Sequence, residues 1–400
     1  MRLLATDTGL MSEFADPTEV KYAILSHVWA RKTSDNDTSY EPELTYDDYT
    51  RLRTEHGDDL LFDKLPPKVR HSCEVAKGHG IPFVWIDTCC INKSSSSELS
   101  EAINSMYRWY SLAQVCYAYL YDVDHVTSTN FHDSEWFKRG WTLQELIAPP
   151  EVLFFDGDWQ MIGSRYELSD EIRSITNIDR AVLRKERQIS DVSVAQRMSW
   201  AASRKTTRKE DKAYCLIGIF DVHLPPLYGE RDHAFIRLQE AILAKIPDQS
   251  ILAWGPNQYD TELTLKKPSL CAPPPNSSFS HRRPQSFLLA RSPKDFANCH
   301  DTVNITSDTL ANALDLPNIP YARFTLTANG IYVRLPLIPC YDRSGLSIVS
   351  PSSPARCLYR DETQARPIAR ISSKSATLKS YAWFSARTAK HDRARTRRCL

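Results

Sequence analysis

Four hundred residues allow two or three domains, each large enough for its own hydrophobic core. Fifty Lys and Arg against 49 Asp and Glu leave a net charge of +1, so no global field favours nucleic acid as a partner. No apolar run reaches the length of a membrane span, and the opening MRLLATDTGL lacks the extended apolar core of a signal peptide; both readings point to a cytoplasmic chain.

Ten cysteines fall without regular spacing and without a CxxC pair, which suits reduced thiols in the cytosol. Charge is concentrated at the end of the chain. From Arg356 to Leu400 there are 12 Lys and Arg against 3 Asp and Glu, a basic, Ser-rich stretch that reads as a disordered tail.

In chain order, Tyr22–Trp29 (YAILSHVW) reads as a buried strand with a polar end. The connection from 30 to 65 is long and polar, a length usually found in functional or disordered loops. Pro66–Gly80 opens on prolines and closes on glycine, as a helix should, with Val69, Cys73 and Ala76 on one stripe. Pro82–Thr88 (PFVWIDT) is a second strand ending in an acid, Asp87. Glu98–Ala113 carries Leu99, Ala102, Ile103, Met106, Trp109 and Tyr110 at helical spacing. Val115–Val123 (VCYAYLYDV) is a third strand, a helix is expected over Ser134–Ala148, and Glu151–Asp156 (EVLFFD) is a fourth strand.

Apolar strands alternating with helices predict βαβ units and a parallel sheet covered on both faces. From 163 to 247 the pattern turns helical, with the cationic turn RKTTRK (204–209) between two helices. It reads as a solvated loop or, less simply, as a phosphate contact. Pro256–Pro284 is a Pro/Ser/Lys-rich linker. FTLTANGIYVRLPLI (324–338) predicts a hairpin around Asn329–Gly330. Beyond Leu346 no element is expected.

In an open parallel sheet, ligands sit past the carboxyl ends of the strands, where strand order reverses. The ends here carry Ser26, His27 and Trp29, then Asp87, Thr88 and Cys89, then Asp122 and Asp124. These converge if the first strand neighbours the third, as in a flavodoxin-like order. Glu145, in the expected last turn of the helix after the third strand, could face the same crevice. An acid there opposes the helix dipole, and its i−4 and i+4 neighbours, Trp141 and Pro149, offer no cation. A carboxylate beside an indole suits glycosidic chemistry on a ribosyl group. The plainer alternative is that strand-end acids cap helices and Glu145 pairs with a distant arginine.

Other chemistries lack their residues. There is neither a GxxxxGK[ST] loop nor a GxGxxG turn after a strand. His71, Cys73, Cys89, Cys90, Cys299 and His300 have no zinc spacing, so no metal site is expected. Cys89 or Cys90 with His27 as a thiol and base is outweighed by simple packing. Trp109, Trp136, Trp141 and Trp159 read as core rather than as a stacking platform.

Taken together, YAILSHVW, VWIDTCCINK, ELSEAINSMYRWYSLAQVCYAYLYDV and WFKRGWTLQELIAPPEVLFFD resemble the successive blocks of the fungal heterokaryon incompatibility (HET) domain. RMSWAASRKTTRKEDKAYCLIGIFDVHLPPLYGE is similar to the helical region that often follows it, so the likeness covers roughly residues 1–255. The resemblance implies a role in non-self recognition and regulated cell death. It also implies a remote relation to TIR domains, flavodoxin-like folds that cleave NAD or assemble as scaffolds. RGWTLQEL is similar to the TIR stretch S-x-W-C-L-x-E-L, which places Glu145 on the catalytic glutamate, with Thr142 in place of the Cys.

The organisation that follows is a HET domain over 1–160 with a TIR-like α/β core over 22–156, then a helical region over 161–255. A linker (256–285), a small β-rich region (286–345) and a basic tail (346–400) complete it. The resemblance implies Glu145 as catalytic carboxylate and Ser26, His27, Trp29, Asp87 and Trp141 as ligand-binding residues. It implies NAD as substrate rather than as a bound cofactor, and self-association or a separate sensor chain as partner. A non-catalytic death-signalling scaffold is the alternative.

Overall fold

The computed structural model describes residues 1–29, 42–59, 61–124, 131–255 and 288–303, and the backbone of three later strands. The linker expected over 256–285 lies wholly outside them, as do most of the tail and residues 30–41 of the long connection.

The chain divides into two units, Met1–Asp191 with Ser203–Leu238, and Val192–Ala202 with Gln239–Leu400. The first unit is built on a seven-stranded sheet. It opens with β1 (Arg2–Ala5) and β2 (Met11–Glu13), an antiparallel pair, followed by β3 (Tyr22–His27), buried along its whole length. Helix α1 (Tyr46–His56) starts at a capping box, in which the Thr45 hydroxyl accepts from the Asp48 amide while the Asp48 side chain reaches back. The single turn α2 (Leu61–Lys64) leads to α3 (Pro67–Gly78), whose first-turn proline needs no amide partner. Its buried stripe is Val69, Ser72, Cys73 and Ala76, as the spacing predicts.

Strand β4 (Phe83–Trp85) is followed by α4 (Ser96–Leu112), capped by Ser95 and burying Ala102, Ile103, Met106, Trp109 and Tyr110. Strand β5 (Val115–Tyr119) leads into α5 (Glu135–Lys138) and α6 (Thr142–Ile147), then β6 (Val152–Phe155) and β7 (Met161–Ser164). The sheet order is β2-β1-β4-β3-β5-β6-β7. The four central strands pair in parallel, and the first of them, β3, lies between the second and the third. That is the reversal point the crevice requires.

Two expectations are corrected. The sheet is mixed, because β1, β2 and β7 add antiparallel edges to the parallel centre. The single helix expected over Ser134–Ala148 is two short helices separated at Arg139–Trp141. The break has a non-local cause. Arg139 forms an isolated parallel bridge with Lys205, the Gly140 amide donates to the Lys205 carbonyl (2.8 Å), and the Lys205 amide donates to the Lys138 carbonyl (2.6 Å).

After β7 come α7 (Ser169–Thr176) and α8 (Arg180–Leu183). Helix α9 (Val194–Ser199) lies in the second unit, where its amides at Val194 and Ala195 donate to Asp248 (2.7 Å) and Ser250 (2.9 Å). The first unit resumes with α10 (Asp211–Tyr214), and α11 (His233–Lys245) begins in it. Strands β8 (Phe324–Thr327) and β9 (Gly330–Leu337) pair with Thr327 opposite Gly330, which matches the expected hairpin; the two residues between them lie outside the described set. A third strand, β10 (Ala382–Arg387), pairs with β9 inside the stretch where no element was expected.

Candidate active site

Successive residues of a strand point to opposite faces. Ser26 and His27 end β3, so they cannot share a pocket wall, and the structure separates them. Ser26 faces α4 and α6. Its hydroxyl donates to the Glu145 carboxylate and accepts from the Trp136 indole N–H (2.8 Å), and all three side chains are buried. The Tyr110 hydroxyl donates to the Leu25 carbonyl (3.3 Å) and also lies within hydrogen-bonding reach of Glu145. Glu145 is therefore enclosed by β3, α4 and α5, not directed into solvent.

Burial pushes the Glu145 carboxyl up to about 7, and the charge of Asp87 pushes the same way. The hydrogen bonds from Ser26 and Tyr110 and the charge of Arg139 pull it down without cancelling the burial. A carboxyl poised there exchanges protons near neutrality. Glu145 is the fourth of the six residues of α6, so it lies in the last turn, as expected, and also in the first.

A second cluster lies at the ends of β3 and β4. The Trp29 indole N–H donates to both oxygens of Asp87 (3.0 and 3.3 Å). The Lys93 ammonium sits 3.5 Å from the Trp29 ring centroid, and the Arg139 guanidinium lies 5.1 Å from it. Burial lowers the Lys93 pKa, against the opposing charge of Asp87. Asp87 and Arg139 act electrostatically on Glu145, so the two clusters form one charged neighbourhood.

His27 turns to the other face. Its Nε2 meets Glu43 (3.1 Å), and Lys68 of α3 donates to the second oxygen of Glu43 (2.5 Å). Burial lowers the His27 pKa despite Glu43. Burial would raise the Glu43 carboxyl, but His27 and Lys68 together hold it well below its ordinary value. Trp141 also stands apart, since its side chain hydrogen-bonds Asp211, which Tyr228 approaches at 3.0 Å.

Of the six residues singled out in the sequence, Ser26, Trp29, Asp87 and Glu145 thus share one neighbourhood; His27 faces away from Ser26 but still feels the charge of Asp87, and Trp141 stands apart. Trp136, Tyr110, Lys93 and Arg139 complete the neighbourhood. Lys93 and Arg139 lie inside the quoted blocks, and a search for cations flanking a strand-end Trp would find them. Trp136 is core, as its pattern suggests, yet its N–H belongs to the network.

The alternatives resolve locally. Asp122 caps α5, accepting from the Ser134 hydroxyl (2.8 Å) and the Glu135 amide (2.7 Å). Hydrogen bonding to Cys90 and burial push the Cys89 thiol well above its ordinary value, which disfavours the thiolate a nucleophile needs. Among the described residues no His, Cys, Asp and Glu side chains cluster to hold a metal ion.

The family model "Heterokaryon incompatibility protein (HET)" matches residues 22–132, which contain β3, β4, α4 and β5. The chain carries a HET domain. A second model, "Domain of unknown function (DUF8212)", matches residues 233–365. The HET-domain chain is 45% identical over 232 residues to the vegetative incompatibility protein HET-E-1 of Podospora anserina, an alignment covering 55% of this chain and 16% of that protein. It therefore spans well under a fifth of that relative's length. No solved structure matches the chain.

Proposed function

We propose that this chain acts in heterokaryon incompatibility and that its HET unit is a TIR-like NAD glycohydrolase with Glu145 as the catalytic carboxylate. The role in incompatibility rests on the HET domain and on the likeness to HET-E-1. The flavodoxin-like, TIR-like reading is supported by the central strand order, with β3 between β4 and β5. The observation that carries the enzymatic reading is the Trp136–Ser26–Glu145 chain at the reversal point, where burial raises the carboxyl to about 7 and the Ser26 bond keeps a carboxylate oxygen in place.

In that reaction the bond between the ribose C1′ and the nicotinamide nitrogen breaks, its electron pair neutralising the pyridinium nitrogen. Nicotinamide needs no proton to leave. Glu145, ionised, stabilises the oxocarbenium character at C1′ and then accepts the proton released as water adds there. Ser26 fixes one carboxylate oxygen and Trp136 fixes Ser26. Lys93 and Arg139 offer positive charge to a ligand's phosphates.

Purified chain incubated with NAD at high protein concentration should release nicotinamide, and Glu145→Ala should release none. Equal release by both would sink the enzymatic reading.

One observation favours the scaffold reading. Glu145 already has its hydrogen-bond partners, and Lys93 already covers a face of Trp29. On that reading Glu145 is a structural acid, and Glu145→Gln keeps toxicity on overexpression while changes to an exposed helical face abolish it.

A further inference from the structure

The cationic turn 204–209 reads in the sequence as a solvated loop, and for most of its length it is exposed. Arg204 is the exception, at 7% exposure. Its Nη1 donates to the Arg139 carbonyl (2.9 Å) and to the Thr142 hydroxyl (2.9 Å). That hydroxyl in turn lies 2.5 Å from the Trp136 carbonyl and 2.9 Å from the Arg139 carbonyl. One guanidinium thus gathers the end of α5, the break and the first residue of α6. Lys205 adds the backbone bridge across the same break. The fit is close, because a Cβ on Gly140 would stand 2.5 Å from the Thr206 methyl and 3.3 Å from the Cys215 sulfur. The Thr206 hydroxyl is tied to the Arg208 carbonyl (2.7 Å), so that methyl is not free to swing away.

We infer that Arg204 is a positioning residue for Glu145: its guanidinium fixes the break that aims α6 at the crevice and brings a buried positive charge to the Glu145 carboxyl. Nothing in the HET-matched residues 22–132 supplies this contact. The role rests on the reading of Glu145 as the working carboxylate, and its test needs no substrate. The groups that act on Glu145 come from the elements around it: Ser26 of β3, Asp87 beyond β4, Tyr110 of α4, Arg139 in the break, Cys116 of β5 and Cys215, which follows α10 and faces Arg204 as well. Arg204 joins them through its interaction with Glu145, although burial is the main influence on its own guanidinium and lowers its pKa to about 10.

The experiment uses the full chain labelled with carboxyl-¹³C glutamate, the Glu145 signal being assigned by its loss in Glu145→Gln. Two readouts are followed, the pH midpoint of that carboxyl and hydrogen exchange at the amides of Gly140, Leu143 and Gln144. Arg204→Gln removes the charge and both bonds from Nη1; it should move the midpoint upward and speed exchange at those amides about tenfold or more. Arg204→Lys keeps the charge, but its side chain is one bond shorter and its ammonium stops short of the Nη1 position; it should leave the midpoint near wild type while exchange still accelerates. Unchanged exchange in Arg204→Lys overturns the positioning role, and this variant decides the matter if Arg204→Gln does not fold. An unchanged midpoint in a folded Arg204→Gln overturns the electrostatic part. A chain that cleaves no NAD would still give both readouts, so the two proposals fail separately.

Discussion

At the residue scale, Glu145 couples folding to pH. Its carboxyl titrates at about 7 in the folded chain and near 4.5 when unfolded. The folded state therefore binds the proton more tightly, and stability falls as pH rises from about 4.5 through about 7. Above that range the buried charge costs on the order of 3 kcal/mol, from 1.36 kcal/mol per pH unit. Glu145→Gln keeps an acceptor for Ser26 but cannot ionise. Relative to wild type it should be more stable at pH 8 than at pH 4.5, by an amount approaching that figure in urea titrations. An identical difference at both pH values would mean that the carboxyl is not perturbed. Ser26 was legible in the sequence as a polar residue at the end of a buried strand, and Glu145 as an acid late in an expected helix with no cation one turn away and within the RGWTLQEL resemblance. Strand alternation sends His27 to the face opposite Ser26, where Glu43 and Lys68 receive it while it still feels the charge of Asp87.

At the element scale, the six residues of α6 are too few to be stable alone, so their orientation comes from contacts at both ends. Arg204 and Lys205 hold the start. Arg165 holds the end: Nη1 donates to the carbonyls of Leu146 (2.7 Å) and Pro149 (3.0 Å), and Nη2 donates to that of Pro150 (2.7 Å). Lys185 adds bonds to Ile147 and Ala148. These carbonyls follow the helix into a Pro-Pro pair, where no backbone amide can cap them. Arg165→Met should destabilise the chain by about 3 kcal/mol, because it leaves buried acceptors unpaired. Lys185→Met should cost less, since Lys185 serves two carbonyls where Arg165 serves three and the residue as a whole is exposed, although burial of its ammonium lowers its pKa to about 8. Equal losses in thermal melts would contradict this ordering. None of these partners was legible locally. A helix pattern runs unbroken from Ser134 to Ala148, and only Gly140 hints at a break whose cause lies more than sixty residues downstream.

At the scale of the molecule, the unit that holds the site extends well past the sheet. Its four central strands and the helices α3 and α4 follow from hydrophobic period, which is why they could be read from the sequence; the strand order there was only a condition, and the edge strands β1, β2 and β7 were not expected. The stretch 203–238 could not be placed that way, because its attachment is made by individual contacts. The Asn104 side chain exchanges hydrogen bonds with the backbone of Leu224 (3.1 and 3.2 Å). Gly218 packs so tightly on Tyr107 that an added Cβ would lie 2.1 Å from the tyrosine Cβ. Both partners lie on α4, the helix that also carries Tyr110 against Glu145. Removing 203–238 would therefore expose the outer side of α4, free the break ahead of α6 and leave Tyr107 and Asn104 without their contacts. A chain ending at residue 191 should consequently be recovered mainly as aggregate, or should unfold without a sharp transition, whereas a chain ending at residue 255 should melt cooperatively. The measurement is soluble yield followed by circular dichroism on heating. A cooperative melt of the shorter chain at the temperature of the longer one would show that the sheet sustains the site without its downstream partner.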